Sequence, residues 1–142
     1  MVKTTIVQKA LIFNQNNELL IMRRSGTDTR RPLQWDFPGG QLEEGEDLKE
    51  GIKREIFEES ALSVSELSPI WSTTKHRVWD TGEASIVFIF YKARVPGSSS
   101  DVKISNEHDM FQWLPITEAS RLFEYDLHRE VMTYIVDNQL EL

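Results

Sequence analysis

The sequence predicts an α+β fold in which a mixed β-sheet lies between helices. Segments of strand character outnumber helical ones, and the two amphipathic helices are separated by a long strand-rich stretch. The 142 residues, 39% of them hydrophobic, suffice for one domain with its own core and leave no room for a second. We therefore expect a single domain over residues 1–142 and no doubly wound arrangement.

The N-terminal part is predicted to be a β-hairpin followed by a loop. Thr4 to Asn14 is rich in β-branched and apolar residues, Gln15 to Asn17 supplies a turn, and Glu18 to Arg24 resumes the apolar pattern. Ser25 to Leu33 has no hydrophobic period and carries positive charge, which indicates a loop beside a site. Trp35 to Phe37 reads as a short extended piece that leads into a proline and two glycines, where the chain turns.

The first helix is predicted over residues 48–60. Leu48, Ile52 and Ile56 recur every four positions and form an apolar stripe. Asp47, just before the stripe, is the expected N-cap.

The remainder of the chain is predicted to contain three more strands and a closing helix. The dense apolar pattern of the second strand places it at the centre of the sheet. The segments are strands at Pro69 to Thr73, Ala84 to Arg94 and Met110 to Leu114, a surface loop at Pro96 to Ser100, and a helix from Leu127 to Asn138.

Composition excludes several classes of function. The sequence has no cysteine, so disulfide scaffolds, thiolate zinc sites and cysteine nucleophiles are ruled out. The formal charge of -7 repels phosphate backbones and disfavours nucleic acid as a partner. The sequence lacks an apolar run of membrane-spanning length, and Met1 to Ala10 lacks a signal-peptide core. We expect a cytoplasmic protein that does not associate with membranes.

Three glutamates on the first helix form the main candidate site. Glu55, Glu58 and Glu59 stand at i, i+3 and i+4, so their carboxylates share a face and repel one another. Either solvent with Arg54 or Lys53 relieves the repulsion, or a divalent cation does. Glu59 also projects near the apolar stripe, where a carboxylate needs a partner. A solvated charged helix is the alternative that these glutamates alone would favour.

The spacing of the residues around these glutamates favours a functional site over a solvated helix. Gly40, Glu46, Arg54-Glu55-Ile56 and Glu58-Glu59 follow the pattern G-x5-E-x7-R-E-U-x-E-E, where U is bulky and aliphatic. This pattern resembles the signature of the Nudix hydrolases, MutT-like proteins, and Trp35 to Gly39 resembles the usual lead-in to it. The chain departs from the signature at Ala61, where the family has glycine. Alanine in a left-handed helix C-cap costs roughly 1 kcal/mol or forces a different exit from the helix.

The resemblance implies an α/β/α sandwich and hydrolysis of a diphosphate linked to another moiety, usually a nucleoside, with Mg²⁺ or Mn²⁺ as cofactor. The family's catalytic glutamates correspond to Glu55, Glu58 and Glu59, and its arginine to Arg54. Arg54 is expected to pair with Glu46 and so to fix the loop before the helix.

Phosphoanhydride hydrolysis needs phosphate charge to be neutralised and a water to be activated, and carboxylate-bound Mg²⁺ does both. We expect Glu55 and Glu59 as principal metal ligands, Glu58 on a second ion, and the Gly40 carbonyl as a backbone ligand. Glu55, or a carboxylate on a later loop, is the expected general base. The later carboxylate is expected to be a further metal ligand, for which Glu107 is the main candidate and Asp80 and Glu83 are alternatives.

Fewer features of the sequence indicate how the substrate is bound. Cations before the signature are candidates for phosphate, and aromatic residues are candidates for stacking on a base, with core packing as their alternative. The candidates for substrate binding are Arg23, Arg31, Trp35, Phe37 and Gly39, and beside them Arg24, Arg30, Trp71 and Trp79. His76 and His128 are taken as solvent histidines.

No proline lies between Trp71 and Val95 and no tyrosine between Leu62 and Phe90, so the downstream markers of the family's ADP-ribose and diadenosine-polyphosphate branches are not evident. The resemblance therefore slightly favours nucleoside triphosphates as substrates. We expect a (deoxy)nucleoside triphosphate, oxidised ones included, to be cleaved to the monophosphate and pyrophosphate. The alternatives are a nucleotide sugar, a dinucleotide or ADP-ribose, a capped RNA end, or a nucleotide-sensing module without turnover. The family resemblance adds a homodimer as the expected assembly.

Overall fold

The computed structural model describes residues 3–96 and 101–138, which form a sheet with helices on both faces. The strands are β1 Lys3–Phe13, β2 Glu18–Arg24, β3 Trp35–Asp36, β4 Gly39–Gln41, β5 Ser65–Trp79, β6 Gly82–Arg94 and β7 His108–Pro115. The helices are α1 Leu48–Ser60, α2 Ile116–Ala119 and α3 Asp126–Asp137.

The sheet is mixed, as the sequence predicts. Its strand order is β3-β2-β1-β6-β5, with β4 paired to β1 and β7 paired to β2. The β1–β6 pair is parallel over the full length of β1, and the other pairs are antiparallel. The parallel pair brings the start of β1 beside the start of β6, and thereby the middle of the chain beside its N-terminal strand.

Strand alternation divides the core into two layers. One side of β1 and β2 packs against α3, and the other side packs against α1, which gives the α/β/α sandwich. The layer under α3 includes Leu11, Phe13, Leu19, Ile21, Leu127, Val131 and Ile135. The layer under α1 includes Ala10, Ile12, Leu20, Met22, Ile52 and Ile56.

Helix α1 has the predicted bounds and the predicted start. Asp47 caps it by accepting hydrogen bonds from the backbone N–H groups of Lys49 and Glu50. Ile52 and Ile56 are fully buried, but Leu48 is 42% exposed. The prediction that Leu48 belongs to the buried stripe is therefore wrong: its carbonyl accepts a hydrogen bond from Gln8, but its side chain at the start of α1 is exposed.

Helix α1 is capped at its end by Ala61, the alanine that stands where the family signature has glycine. Ala61 is the C-cap with φ 62° and ψ 16°, and its N–H donates to the Phe57 carbonyl. The chain thus keeps the left-handed exit and retains a Cβ in a conformation that favours glycine.

Strand β5 is much longer than the predicted Pro69 to Thr73. It pairs with β6 from Ser65 opposite Arg94 to Trp79 opposite Gly82. Its outer half has no apolar pattern and contains consecutive Thr, Lys, His and Arg residues. This half is a strand because its backbone pairs with β6. The predicted loop at Pro96 to Ser100 lies outside the described residues beyond Pro96. None of the helices within the described ranges is long and apolar enough to span a membrane.

Candidate active site

A cleft of about 690 Å³ brings together residues from both halves of the chain. Its carboxylates lie on α1, on the loop after β2 and on the segment before β7, and its cations lie on β1, at the end of β2, on the loop after β2 and on β5. The charged residues include Glu55, Glu59, Glu107, Lys9, Arg24, Arg30, Arg31 and Arg77. A second cavity of about 450 Å³, at the opposite end of the β5–β6 hairpin, is lined by other residues.

Glu59 is the most deeply buried carboxylate on the α1 side of the cleft. It is 5% exposed, and its Oε2 accepts a hydrogen bond of 2.9 Å from the Gly39 N–H. Burial raises the pKa of Glu59 to about 8, although the charge of Lys9 and the Gly39 N–H favour the carboxylate. A Cβ at position 39 would collide with the Gln8 carbonyl, and Gly39 has φ 142°, so glycine is required for this contact.

Glu55 lies one turn before Glu59 and depends on a second glycine. A Cβ at Gly40 would lie 2.7 Å from Glu55 Oε2, so the absent side chain makes room for the carboxylate. Burial raises the pKa of Glu55 above its usual range against the charge of Arg54, and the charge of Glu107 raises it further.

Arg54 holds the loop before α1, as predicted. Its Nε and Nη2 donate to the two carboxylate oxygens of Glu46 at 2.6 and 3.1 Å. Nη1 lies 3.1 Å from Glu58 and 3.2 Å from Glu55. The Glu58 side chain is 56% exposed, and this carboxylate lies on Arg54 outside the cleft. The structure therefore places Glu55 and Glu59 in the cleft, whereas Glu58 lies outside it and shares Arg54 Nη1 with Glu55.

Glu107 is the later carboxylate that reaches the cleft. It lies just before β7, and its backbone carbonyl accepts a hydrogen bond from the Ser25 N–H. The alternatives lie elsewhere: Glu83 pairs with His76 at 2.9 Å on the exposed side of the β5–β6 hairpin, and Asp80 lies at its tip. His76 is an exposed histidine, as the sequence indicates.

The donor chemistry of this side of the cleft fits a hard divalent cation. Glu55, Glu59 and Glu107 offer carboxylate oxygens, and burial raises the pKa of Glu59 and, despite Arg54, that of Glu55. Across residues 3–96 and 101–138, no three acidic, histidine or cysteine side chains stand at the spacing of an assembled metal site. A cation would therefore have to draw these carboxylates together.

The opposite wall is built on the buried carboxylate of Asp36. Its Oδ2 lies 3.2 Å from Lys9 Nζ and 2.9 Å from Arg24 Nη1, and its Oδ1 contacts His128 Nε2 and the Phe37 N–H. Burial alone would raise the pKa of Asp36, but the Lys9 charge and these hydrogen bonds hold it well below its usual range. Burial lowers the pKa of His128, and its Nε2–H donates to the Asp36 carboxylate.

Arg31 completes this wall without a close ion pair. Its guanidinium lies over the Tyr125 ring, 3.9 Å from the centroid, and Nη2 is 3.9 Å from Asp36 Oδ2. Nη1 is buried with no hydrogen-bond partner in the described part of the chain. Arg31 is therefore a donor that faces the cleft with unused hydrogen-bonding capacity.

The other predicted substrate residues are distributed between the cleft and the core. Gly39 lines the cleft, although its N–H is engaged by Glu59. Arg23 forms a bidentate pair with Asp109 outside the cleft. Phe37 is fully buried, so its prediction as a substrate-binding residue is wrong, and Trp35 packs against the same core.

Sequence reasoning missed the buried network on this wall. His128 was expected in solvent, but it is fully buried against Asp36, and that prediction is wrong. Lys9 in the apolar β1 and Asp36 between two aromatic residues are the available signals, because charges in such positions are buried only when paired. His108 and Tyr125, which also line the cleft, carry no comparable signal in the sequence.

Comparisons with known proteins agree with this architecture. The family model of the NUDIX domain matches residues 3–135. The asymmetrical bis(5'-nucleosyl)-tetraphosphatase of Sus scrofa is 29% identical over 91 residues, which are 64% of this chain and 62% of the pig protein. The oxidized purine nucleoside triphosphate hydrolase of Mus musculus is 31% identical over 108 residues, which are 76% of this chain and 64% of the mouse protein. The chain thus spans under two thirds of either relative's length.

A solved structure shows the same fold over nearly the whole chain. The crystal structure of the MutT protein from Methanosarcina mazei Go1 superposes with a TM-score of 0.77 and 24% sequence identity. The match covers 99% of this chain and 98% of that one.

Proposed function

Because the chain belongs to the Nudix hydrolase family, we propose that it is a divalent-metal-dependent pyrophosphohydrolase of nucleoside triphosphates, oxidised ones included. The reaction adds water across the phosphoanhydride between the α and β phosphorus atoms. Its products are the nucleoside monophosphate and pyrophosphate.

One observation carries this proposal: a single cleft is lined on one wall by Glu55 and Glu59, whose pKa values are raised, and on the other by cations that include Arg31, which has a donor nitrogen with no hydrogen-bond partner in the described residues. A phosphate chain alone would be repelled by Glu55 and Glu59, and a cation alone would be repelled by the arginines. A metal-bound polyphosphate satisfies both walls, because the metal faces the carboxylates and the phosphate oxygens face the guanidinium groups.

When bound, Mg²⁺ or Mn²⁺ supplies phosphate charge neutralisation and lowers the pKa of water. Glu55 and Glu59 hold the ion, with Glu107 and the Gly40 carbonyl as further ligands. Glu55 orients the attacking water and accepts its proton. Arg31 binds phosphate oxygens on the opposite wall.

The relatives support a nucleoside polyphosphate as substrate class. The mouse protein is named for an oxidised purine nucleoside triphosphate and the pig protein for a bis-nucleosyl tetraphosphate. A dinucleoside tetraphosphate is therefore the second candidate, and ADP-ribose, a nucleotide sugar and a capped RNA end are the remaining ones from the sequence. The cytoplasmic location and the homodimer also remain predictions.

A substrate panel tests the proposal. The full chain is assayed with Mg²⁺, with Mn²⁺ and with EDTA on ATP, dGTP, 8-oxo-dGTP, diadenosine tetraphosphate and ADP-ribose. We expect nucleoside triphosphates to release pyrophosphate without free phosphate, and EDTA to abolish the release. Cleavage of the tetraphosphate to ATP and AMP with higher kcat/KM would favour the second candidate. Binding without any turnover would identify a sensing module.

Variants on one helix assign the metal ligands. Glu59→Gln should lower kcat by about 100-fold or more, because loss of even an outer-shell partner of a metal site costs about 10- to 100-fold. Glu50→Gln is the matched control, since Glu50 lies on the exposed side of α1 with its side chain 71% exposed. Glu58→Gln tests the proposed second ion, which requires that carboxylate to leave Arg54. Equal activity of all three variants would overturn the ligand assignment.

A further inference from the structure

The cleft has an apolar end that the proposed phosphate chemistry leaves unused. Most of the charged residues described above occupy the end near α1 and Asp36. The opposite end lies on the outer part of the sheet, where the lining residues are Val7, Trp79, Ile86 and Phe88, with Arg77 between Trp79 and Ile86 on the same face.

Strand register places these apolar side chains on one continuous face. Phe90 and Phe88 belong to the core layer under α3, and Ile86 follows them on the same face of β6. Trp79 lies opposite Gly82 on that face, at the end of the hairpin. Helix α3 covers the inner part of this face, so the outer part forms the floor and rim of the cleft.

The Trp79 side chain at this rim is more exposed than those of the other aromatic candidates. It is 52% exposed, whereas Phe37 is fully buried and Trp35 and Trp71 pack against the core. A Cβ at Gly82 would meet none of the described atoms within 4 Å, so the indole does not pack over its cross-strand neighbour. The indole therefore has free aromatic surface beside the apolar floor.

We propose that Trp79 stacks on the heterocyclic base of a nucleotide, with Ile86 as the nearest part of the apolar floor on the same face. The inference rests on the proposed function and specifies its substrate class: the phosphates lie between the charged walls, which leaves the apolar end for the group attached to them. A flat aromatic base gains contact from an indole and an apolar floor, whereas a hydroxyl-rich sugar phosphate does not. Trp79 is thus the residue that selects nucleotides over other phosphoanhydrides.

Equilibrium binding to the full chain tests this assignment without turnover. The probes are the α,β-methylene analogues of ATP and CTP and, as a base-free ligand, inorganic tripolyphosphate, each with Mg²⁺. Trp79→Ala should weaken binding of the ATP analogue by roughly 5- to 150-fold, the range measured for loss of base stacking, with a smaller loss for the CTP analogue. Tripolyphosphate affinity should be unchanged.

Two further variants separate stacking from damage to the hairpin. Trp79→Phe keeps an aromatic ring and should recover most of the lost affinity. Val78→Ala is the matched control, because Val78 is 72% exposed at the same tip and alternates to the other face. It should bind all three probes like the wild type. Equal loss of tripolyphosphate and nucleotide binding in Trp79→Ala would overturn the inference, as would unchanged binding of the ATP analogue.

The inference and the proposed function fail in different ways. If the wild type hydrolyses nucleotides and Trp79→Ala has the same KM, the stacking assignment is wrong and the function stands. If the wild type binds the ATP analogue through Trp79 but hydrolyses no substrate of the panel, the function is wrong and the base site stands.

Discussion

Asp36 and Glu59 are the two buried carboxylates in the described part of the chain: Glu59 lines the cleft, and Asp36 lies beneath the cations of the opposite wall. Asp36 is in contact with Lys9 and Arg24 and has a pKa well below its usual range. Glu59 has one backbone N–H, from Gly39, and a pKa raised to about 8. Burial is similar in both, so the partners decide the direction of each shift.

This contrast separates a carboxylate that organises the protein from one that is free to bind a cation. The charge of Asp36 is compensated within the fold by Lys9 and Arg24, and Asp36 in turn holds these two side chains in place. Glu59 is compensated within the fold only in part, by the charge of Lys9 and the Gly39 N–H, and gains more from a bound cation. We expect replacement of Asp36 to affect mainly stability, and replacement of Glu59 to affect mainly metal-dependent properties.

The largest effect is expected from Asp36→Asn. This change leaves Lys9 and Arg24 without their buried counter-charge, and breaking a buried ion pair from one side costs about 3–5 kcal/mol. Urea unfolding at pH 7 measures the loss. The double variant Lys9→Met with Asp36→Asn should regain part of it, since the uncompensated lysine charge is then absent.

Asp28→Asn is the control for this experiment, because Asp28 pairs with the same Arg24 at 2.8 Å but its side chain is 24% exposed. A surface pair of this kind contributes about 1 kcal/mol or less. If both substitutions cost the same, the burial of Asp36 has no special importance and the contrast drawn above is wrong.

The two carboxylates also differ in how far the sequence predicts them. The spacing on α1, the Asp47 cap and the pair of Arg54 with Glu46 are local or motif-defined, and the structure confirms the cap and the pair. The position of Glu59 near the buried stripe follows from the helical period alone. These features need only a few residues of context.

The network around Asp36 could not be predicted in the same way. Its partners Lys9 and His128 lie 27 and 92 residues away in sequence, and they meet only because β1, β3 and α3 pack in one particular register. The outer half of β5 was missed for a related reason, since its pairing with β6 is not accompanied by an apolar pattern. Contacts between residues that are far apart in the sequence leave little local pattern from which to predict them.

The second effect is the pH dependence that Glu59 confers on the metal-free protein. Its pKa is about 8 in the folded state against 4.5 for the ordinary group, so the folded state binds the proton more tightly. The resulting stabilisation is fully present below pH 4.5 and is lost as pH rises toward 8. Between pH 5 and 8 the titration of Glu59 alone should cost about 3.5 kcal/mol. The buried His128, whose pKa is lowered, has the opposite slope and offsets part of this loss.

Urea unfolding in EDTA across this range checks the slope. Glu59→Gln should remove most of it, and Mg²⁺ should restore stability at pH 8 in the wild type but not in the variant. Asp36 does not contribute in this window, because its pKa lies below it. A slope that persists unchanged in Glu59→Gln would show that another group titrates.

The smallest effect, from Ala61→Gly, decides whether that slope comes from the buried carboxylate or from fraying of the helix end that carries it. Relief of the left-handed Ala61 conformation gains about 1–2 kcal/mol, and the added freedom of glycine in the unfolded chain offsets about 0.4–1 kcal/mol. A net gain of about 0.5–1 kcal/mol in unfolding free energy is therefore expected. Ala84→Gly, in strand β6, should show the opposite sign.

Ala61→Gly leaves both Asp36 and Glu59 unchanged, so it should raise stability by the same amount at pH 5 and at pH 8. A parallel upward shift of the whole pH curve places the titration at the buried Glu59 carboxylate. A curve that flattens in Ala61→Gly would instead mean that the last turn of α1 opens at high pH. The contrast between the two walls would then reflect local unfolding and not the partners that each carboxylate has.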